Sequence, residues 1–518
     1  MALAVILSVI FQNSYAQLIP HERYEHEIKS SDNGFTIVPL DANGISLIRE
    51  RNKFQDGKKL WELILLDDKL QENWATNLSV DSDFNLVGFE ITPDFLFYLF
   101  TKGDSDSNEF IIIQLNYHDN SLREYQIEHE FKFRITHFSV VGQNPIFGGY
   151  ISLEPAVLHF DLATETLKVI PGFFLKDTEL LDLNINQNQT FNALLIERSS
   201  IEQRHLVLKT FDANGSLLLE DYIEIDQNIN ILNGKTSGLK REELIILGTY
   251  TEGVSNEAIG FYSIFVDPFS DQSFQYFTFA NLAHFLDYLP PKRASKIRQK
   301  AIERQEIGKS PDYKANLNLV RIEETKEGFY LLSEVYDPSN GGSPPVWNNR
   351  NSYYNYGSSP YSFDNPLSTR NQGAPYPSNS FSDNENFKVL ETVLTLFNGN
   401  GKIVWNNSLK MEDVKRFTLE PSSDFTIRKE LIFLGYKKEN ELIVNTSSLE
   451  YEPEIDTVKI PLRSSTESVR YESDQDTGLR YWYPNYFFAW GYQSIRDYET
   501  KAEDPVRYVF YINKFETE

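Results

Sequence analysis

The 518-residue sequence contains no cysteine. That absence excludes disulfides, thiolate nucleophiles, Cys-ligated zinc, iron–sulfur clusters and a lipidated N-terminal cysteine. A chain of this length can bury a large core without such cross-links. Neither disulfides nor metal would therefore be needed to hold the fold.

Positive charge is also scarce. The chain has 49 Lys and Arg against 75 Asp and Glu, a formal net charge of -26. Phosphate contacts need clustered Lys and Arg, so the composition argues against nucleic acid and anionic membrane surfaces as partners. No segment after the N-terminus approaches the roughly twenty apolar residues of a membrane span. We therefore expect no transmembrane segment, and a monomer.

Motifs for catalysis, cofactors and metals are incomplete. Residues 308–310 (Gly-Lys-Ser) lack the earlier glycine of a phosphate-binding loop, and the histidines of segment 21–26 have the wrong spacing for a zinc helix. Segment 104–108 lacks the turn glycine of a calcium loop and is predicted to be a polar turn. We predict no catalytic residue, no cofactor and no metal. A carboxylate pair for glycoside hydrolysis stays open, because its separation is a three-dimensional quantity.

Aromatic residues, in contrast, are abundant. The sequence has 29 Tyr and 37 Phe but only 2 Met. Tyrosine and phenylalanine suit pleated, half-buried surfaces better than helices. The composition therefore favours β structure.

A hairpin pattern recurs along the chain. Segments 66–78, 211–223 and 397–409 superimpose without gaps, and two of them centre on Asp-Ala-Asn-Gly and Asn-Gly-Asn-Gly. Such residues tolerate the positive φ of tight turns between antiparallel strands. Large apolar residues follow at intervals of four on the returning strand, which places them on one face. Looser copies end near Ile127, Val169, Phe277 and Ile460.

These returning strands recur roughly every 45 to 55 residues, the period of a four-stranded propeller blade. Seven units are visible. An eighth would combine strands near 486–492 and 507–515 with an N-terminal strand near 23–29. We predict an all-β fold, a single β-propeller of eight or alternatively seven four-stranded blades. A β-sandwich or two packed β domains is the alternative.

The N-terminus resembles a signal peptide. An apolar run through Phe11 is followed by Ser14-Tyr15-Ala16, a small-x-small cleavage pattern. We assign residues 1–16 to the signal and 17–518 to the propeller domain. No Lys or Arg precedes the apolar run, so either a basic region is missing at the start or the segment is a buried strand.

The first predicted insertion spans 283–312 and should contain a basic helix. Prolines precede it, straight-chain residues fill it, and Gly308 stands where a C-terminal cap would. The helix could dock on an acidic blade face or bind an anionic partner; the alternative is a solvated helix packed by Ile297 and Ala301. Its candidate partner-binding residues are Lys292, Arg293, Lys296, Arg298, Lys300 and Arg304.

The second predicted insertion spans 339–386 and is rich in Tyr, Asn, Ser, Pro and Gly. Such a composition cannot bury a core, so we expect a disordered loop. Its aromatic residues could form a platform for sugar rings or for a partner protein. The candidate ligand-binding residues are Trp347, Tyr353, Tyr354, Tyr356 and Tyr361.

Several segments carry a family resemblance. They are 232–238 (Leu-Asn-Gly-Lys-Thr-Ser-Gly), 245–250, 285–292 (Phe-Leu-Asp-Tyr-Leu-Pro-Pro-Lys), 328–334 and 490–493. The chain resembles, over nearly its whole mature length, a family of uncharacterised exported β-propeller-like proteins of Bacteroidota. The resemblance implies the Gram-negative envelope as the compartment. It transfers no catalytic residue, because the family has no established activity.

The functional expectation follows from these points. We expect an exported, non-enzymatic propeller in the periplasm or on the cell surface that binds a protein or glycan partner. One alternative is a carbohydrate-active enzyme, glycoside hydrolase-like, with an acidic pair at the channel mouth. Another is a structural component of an envelope assembly.

Overall fold

A computed structural model gives the architecture of the chain. It describes residues 18–29, 32–103, 106–174, 176–198, 204–239, 243–267, 272–338, 387–416, 419–451, 453–473, 476–499 and 506–518. The predicted signal peptide, residues 1–16, and the predicted loop insertion, residues 339–386, lie outside these ranges.

The expected all-β class is confirmed. The first twelve strands are β1 (Leu18–Glu27), β2 (Thr36–Pro39), β3 (Ile45–Gln55), β4 (Lys58–Leu66), β5 (Glu72–Asp81), β6 (Phe84–Ile91), β7 (Phe95–Lys102), β8 (Ser107–Asn116), β9 (Ser121–Val141), β10 (Asn144–Ile151), β11 (Glu154–Asp161) and β12 (Thr166–Ile170). The next ten are β13 (Thr178–Ile185), β14 (Phe191–Glu197), β15 (His205–Phe211), β16 (Leu217–Glu224), β17 (Ile229–Thr236), β18 (Leu244–Glu252), β19 (Gly260–Val266), β20 (Gln275–Thr278), β21 (Asn316–Glu324) and β22 (Phe329–Pro338).

The last ten strands are β23 (Phe387–Phe397), β24 (Ile403–Arg416), β25 (Ser423–Arg428), β26 (Leu431–Lys438), β27 (Glu441–Ser447), β28 (Glu454–Lys459), β29 (Glu467–Glu472), β30 (Gly478–Tyr483), β31 (Tyr486–Asp497) and β32 (Val506–Thr517). Helix α1 (Pro291–Glu306) and two short 3-10 helices, Asp41–Asn43 and Phe279–Asn281, complete the described elements.

The strands form eight antiparallel units, numbered here in chain order. Units 1 to 7 are β2–β5, β6–β9, β9–β12, β13–β16, β17–β20, β21–β24 and β25–β28. In each unit successive strands pair with one another, so each is a four-stranded meander. The looser copies predicted near Ile127, Val169, Phe277 and Ile460 lie at or beside the fourth strands of units 2, 3, 5 and 7.

Strand β9 belongs to two units. Its first part, from Ser121 to Glu128, pairs with β8, and its later part, from Phe133 to Val141, pairs with β10. Units 2 and 3 therefore form one seven-stranded sheet without an intervening turn.

Unit 8 combines the two ends of the chain. Strands β29 and β30 both pair with β31, β31 pairs with β32, and β1 pairs antiparallel with β32. The predicted N-terminal strand is thus present, although it begins at Leu18 and not near residue 23.

A charged network holds β1 in unit 8. Glu25, whose side chain is 1% exposed, lies 2.6 Å from Arg23, 2.8 Å from Arg507 and 3.3 Å from Arg463. Burial alone would raise the pKa of Glu25, but the arginines outweigh burial and lower it. Arg23 also stacks on the ring of Tyr511 in β32, 4.3 Å from its centre.

Eight hydrophobic clusters join the units in order. Each cluster contains buried side chains of two consecutive units, from units 1 and 2 through to units 7 and 8. The eighth cluster joins unit 8 to unit 1, through residues such as Trp482 and Ile37. Because the clusters link all units in one cycle, they do not divide the chain into two separately packed halves.

The recurrent hairpin has the same turn in its three clearest copies. In unit 4, Asp212 Oδ1 accepts the backbone N–H groups of Asn214 (2.9 Å) and Ser216 (2.7 Å). Asp67 in unit 1 and Asn398 in unit 6 accept the equivalent pairs. The fourth residue of each turn has positive φ: it is glycine in units 4 and 6 and Leu70 in unit 1.

The first strands of several units share a β-bulge. Strands β6, β13, β17 and β21 each shift register by one residue where they pair with the second strand of the same unit. A bulge redirects the following side chains. After the bulge in β13, Asp182 accepts the backbone N–H of Thr236 in the next unit at 2.7 Å. After that in β21, Arg321 reaches Asp424 in the next unit at 2.9 Å.

Helix α1 lies within the predicted insertion, between units 5 and 6. It begins after Pro290 and ends with the predicted glycine cap: Gly308 has φ +67°, and the N–H of Lys309 donates to the carbonyl of Arg304 at 2.9 Å. Ala294 and Ala301 are buried. In the described part of the chain, no helix has the length and hydrophobicity needed to cross a bilayer.

Candidate ligand-binding groove

An open groove of about 440 Å³ lies where unit 6, unit 7 and the segment before α1 meet. Three stretches line it: residues 281–284 before α1, residues 403–407 at the start of β24, and residues 447–451 with Pro453 between β27 and β28. This volume falls in the range of small-ligand sites, roughly 300–1,000 Å³. We refer to it as the groove.

Strand β24 supplies an aromatic wall. It starts directly after the Asn398 turn, and its side chains alternate between the two faces of the sheet. Trp405 is half-buried and meets Tyr330 edge to face, with 6.3 Å between ring centres. Val404, its neighbour, is 55% exposed. Trp405 is therefore anchored in the core while it also borders the groove.

The segment after β27 supplies a second aromatic ring to the groove. After β27 ends at Ser447, the hydroxyl of Ser448 accepts the backbone N–H groups of Glu450 and Tyr451, each at 3.1 Å. This turn leaves Tyr451 71% exposed. The groove is thus lined by an anchored tryptophan and a solvent-exposed tyrosine.

An amide network joins units 6 and 7 beneath the groove. Asn407 Nδ2 donates to Asn445 Oδ1 (3.0 Å) and to Ser447 Oγ (2.9 Å). Asn445 Nδ2 in turn donates to the carbonyl of Ser408 at 2.9 Å. These buried hydrogen bonds hold the lining residues of unit 6 and unit 7 in place relative to each other.

The third wall is held by hydrogen bonds from both sides. The backbone N–H of Ala283 donates to Asn406 Oδ1 at 3.2 Å, and the guanidinium of Arg298 donates to the carbonyl of Ala283 at 2.7 Å. Segment 281–284 is thereby attached both to β24 and to helix α1.

A buried glutamate anchors the rest of this segment. Glu391 in β23 has no exposed surface, and its Oε1 accepts the N–H groups of Asp287 (3.0 Å) and Tyr288 (3.2 Å) and the hydroxyl of Ser408 (2.9 Å). Burial raises the pKa of Glu391 well above its usual value, and the nearby carboxylate of Asp287 raises it further.

Charged side chains stand at one end of the groove. His284 Nδ1 lies 3.1 Å from Asp287 Oδ2, and Arg298 lies 3.7 Å from the same carboxylate. His284 lines the groove. Among the described residues, no three His, Asp or Glu side chains converge as metal ligands would.

The basic candidates on α1 fall into two groups. Lys300 and Arg304 pair with Asp312 at 2.5 and 2.9 Å, and Arg298 pairs with Asp287. Both carboxylates belong to the insertion itself and not to an acidic face of a unit. These three residues therefore attach the helix.

The other basic candidates, Lys292, Arg293 and Lys296, are exposed. The described residues hold no ion pair with any of the three. Because these three side chains are exposed, the hypothesis that the helix binds an anionic partner stays a prediction. The aromatic candidates Trp347, Tyr353, Tyr354, Tyr356 and Tyr361 lie outside the described residues.

Sequence reasoning did not identify the groove. Trp405 was visible only as an apolar position of the repeat, and Asn406 and Tyr451 carried no distinct pattern. The three lining stretches come from positions up to 170 residues apart in the sequence (281 to 451), and no local motif joins them. The one sequence feature that could have indicated the groove is Asn-Asn after Trp405, which the other two hairpin copies lack.

The repeated four-stranded units place the chain in the class of blade-like β proteins to which β-propellers belong. No protein-family model matches the sequence, and no curated protein matches it. Solved structures resemble it only distantly.

Three of these structures illustrate the level of likeness. Polysaccharide lyase Uly1 has 9% identity and a TM-score of 0.40, covering 96% of this chain and 100% of its own. The β-propeller domain of the Trilobed protease from Pyrococcus furiosus has 11% identity and a TM-score of 0.34, covering 82% and 98%. Prolyl oligopeptidase B from Galerina marginata has 9% identity and a TM-score of 0.40, covering 91% and 57%. At such low identity and TM-score, neither the activity nor the binding site of these proteins can be assigned to this chain.

Proposed function

We propose that the eight units are the blades of a single eight-bladed β-propeller. The support is the order of the hydrophobic clusters, each between consecutive units and the last between units 8 and 1. Eight units favour this count over the alternative of seven. The N-terminal strand β1 would then close the ring within the last blade, which leaves only short, protected sheet edges.

We further propose that this propeller is a non-enzymatic glycan-binding protein and that the groove is its binding site. The observation that carries the proposal is that two aromatic residues, Trp405 and Tyr451, line one groove together with asparagine and serine side chains. Sugar rings present apolar C–H faces and hydroxyl groups, which match aromatic rings and amides. A protein partner would need a larger surface than a groove of this size offers.

The compartment is part of the proposal. The N-terminal sequence pattern and the family resemblance support export to the periplasm or cell surface of a Gram-negative cell. In a Gram-negative host, the full-length chain should appear in the periplasmic or surface fraction with Gln17 as its first residue, as read by intact-mass spectrometry. A product that retains residues 1–16 in the cytoplasm would contradict export.

The test of glycan binding is calorimetric titration of the mature chain with a panel of oligosaccharides. Tyr451→Ala should weaken binding by about tenfold, because it removes one aromatic face without touching the core. Tyr222→Ala removes another exposed aromatic side chain, on β16 and outside the groove, and should leave affinity unchanged. Equal affinity of wild type and Tyr451→Ala would reject the groove as the site.

A carbohydrate-active enzyme is the second candidate. The observation in its favour is that Ser408 Oγ lies 2.9 Å from Glu391 and 3.5 Å from Asp287, so two carboxyl groups stand close together beside the groove. A general acid must reach the glycosidic oxygen, whereas Glu391 is fully buried and already accepts three hydrogen bonds. Release of new reducing ends from a bound oligosaccharide, abolished by Glu391→Gln, would favour the enzyme over the binding protein.

A further inference from the structure

His26 lies where the N-terminal strand β1 meets unit 1. Strand β1 pairs with β32 of unit 8, and Phe510 is the residue opposite His26. The ring of His26 also meets the ring of Phe35 edge to face, with 5.3 Å between ring centres. Phe35 stands just before β2 and belongs to the hydrophobic cluster that joins units 8 and 1. His26 therefore takes part in the contact between β1 and unit 1.

A buried arginine of unit 1 fixes which nitrogen of this ring carries the hydrogen. Nη2 of Arg49, in β3, lies 3.1 Å from His26 Nε2. An arginine can only donate, so Nε2 must be the unprotonated, accepting nitrogen and the ring hydrogen must be on Nδ1. Nδ1 lies 3.2 Å from the hydroxyl of Tyr24, which can accept that hydrogen. The hydrogen bond between β1 and unit 1 thus requires a neutral His26.

The guanidinium of Arg49 is held in place. Its side chain is 4% exposed, and its Nε donates to Glu62 in β4 at 2.6 Å. The guanidinium carbon also lies 4.3 Å from the centre of the Phe35 ring. A protonated His26 would turn an N–H group toward the N–H groups of this guanidinium. Two positive charges in such contact, with little water between them, repel each other.

Carboxylates near the pair partly offset this repulsion. Glu62 also lies 3.6 Å from Arg51 in β3, and Asp32, before β2, lies 3.7 Å from Arg49. Both carboxylates favour a charged ring, whereas burial and the two arginines favour a neutral one. Burial, and after it Arg49, outweighs the carboxylates and lowers the pKa of His26. The folded protein therefore favours the neutral form.

We propose that His26 is a pH-sensitive latch, which fastens β1 to unit 1 when neutral and weakens that attachment when protonated in mildly acidic solution. When β1 separates from unit 1, the ring of His26 regains water and no longer faces Arg49, so it binds a proton more readily. Acid therefore favours the separated state as the pH falls below about 6.5, the ordinary pKa of histidine. The latch is distinct from the groove, which lies where units 6 and 7 meet.

Hydrogen exchange of the wild-type mature chain at pH 7.5 and pH 5.5 tests the latch. Protection factors, corrected for the intrinsic exchange rate at each pH, should be about threefold to tenfold lower at pH 5.5 for the amides of β1, because the separated state gains a proton. Amides of β26 and β27 in unit 7, which contains no histidine, should change by less than about twofold.

Two substitutions on β1 separate the effect of His26 from that of the strand as a whole. His26→Gln keeps an oxygen that can accept from Arg49 and does not titrate, so the fall in β1 protection should disappear. His21→Gln is the matched control, because His21 lies on the same strand but 3.0 Å from Glu516 of β32. Protonation of His21 would strengthen that contact, so His21→Gln should keep the fall in protection.

Three results would overturn the latch. The first is equal protection of β1 at both pH values in the wild type, a result that needs no variant. The second is a fall in protection that persists in a folded His26→Gln protein, since another group would then be responsible. The third is loss of the pH effect in His21→Gln as well, which would make it a property of the strand. If His26→Gln does not fold, His26→Asn takes its place, with the same expected result.

Discussion

Two buried glutamates show how single residues respond to opposite surroundings. Glu25 is enclosed by three arginines, which lower its pKa, whereas Glu391 receives only neutral donors and has its pKa raised. The same residue type therefore supports the fold as an ion in unit 8 and favours its neutral form in unit 6. The contrast leads to a pH dependence that can be measured.

Glu391→Gln should stabilise the protein increasingly as the pH rises. In the unfolded chain Glu391 loses its proton above pH about 4.5, whereas in the folded protein it does so only at a higher pH, because its pKa is raised. The free energy of unfolding of the wild type therefore falls as the pH rises from about 4.5 to the folded-state pKa. Glutamine keeps the Oε1 acceptor and does not titrate. Thermal unfolding should show similar midpoints near pH 4.5 and an advantage for the variant on the order of 1–2 °C near pH 8.

Glu306→Gln, at an exposed position on α1, is the control and should not change the pH profile of unfolding. A constant difference between Glu391→Gln and wild type at every pH would contradict a raised pKa.

The hairpin turn gives a second prediction for single residues. Asp212→Ala removes the side-chain oxygen that accepts two backbone N–H groups and should lower the free energy of unfolding by about 1 kcal/mol at pH 7. Hydrogen bonds from the backbone of Ser216 lower the pKa of Asp212, so the wild-type advantage should disappear as the pH falls through that lowered pKa. Urea titrations at pH 7 and pH 3 give the comparison.

Asn214→Ala, at an exposed position of the same turn, should have no effect of this size. If both alanine variants lose the same stability, the side-chain acceptor is not the reason that this turn recurs.

Helix α1 is attached both by packing, through Ala294 and Ile297, and by exposed ion pairs. Its last turns pair with Asp312, while Ala294 and Ala301 bury little surface. Asp312→Ala should therefore loosen α1 without unfolding the units. Hydrogen exchange of the α1 amides should accelerate by about threefold to tenfold, while amides of the β strands keep their protection.

Glu306→Ala, which removes an exposed carboxylate of α1 with no ion pair among the described residues, should leave exchange unchanged. Global loss of protection in Asp312→Ala would show that the helix stabilises the whole molecule and not only itself.

The elements differ in how well sequence predicts them. The hairpins and α1 were predictable because their signals are local: Asp or Asn followed by a glycine at fixed spacing, and prolines before a helix with Gly308 after it. The β-bulges were not predicted, because a bulge depends on the register between two strands. The groove was not predicted because Ala283, Asn406 and Tyr451 meet only through the packing of units 6 and 7.

For the whole molecule, the cyclic order of the clusters makes β1 a structural requirement. A chain lacking residues 17–27 would expose the edge of β32 and leave Arg463 and Arg507 without Glu25. We expect a lower unfolding midpoint by several degrees and association in size-exclusion chromatography, since an unpaired edge strand promotes aggregation.

A synthetic peptide of residues 17–29, added in excess, should restore the midpoint by pairing with β32, and the same peptide with Arg23 and Glu25 replaced by alanine should restore less. A truncated protein with the same unfolding midpoint and elution volume as the full chain would show that the fold does not depend on its N-terminal strand.

The number of units was predictable only in part. Seven returning strands could be counted along the sequence, and the eighth unit was inferred from two ends that lack a complete set of strands. Its actual pairing, with β29 and β30 sharing one edge of β31, could not be read from the sequence, because no repeat pattern marks where β29 ends and β30 begins. Long-range pairing across some 490 positions leaves no periodic signal.

Strand β9 has a mechanical consequence. Where two strands of consecutive units are joined by a connecting segment, a change of tilt can be absorbed by rotation about the backbone dihedrals of that segment. Between units 2 and 3 the backbone continues as strand, hydrogen-bonded first to β8 and then to β10. Any change of tilt between neighbouring units should therefore occur at other junctions, with units 2 and 3 moving as one stiff body.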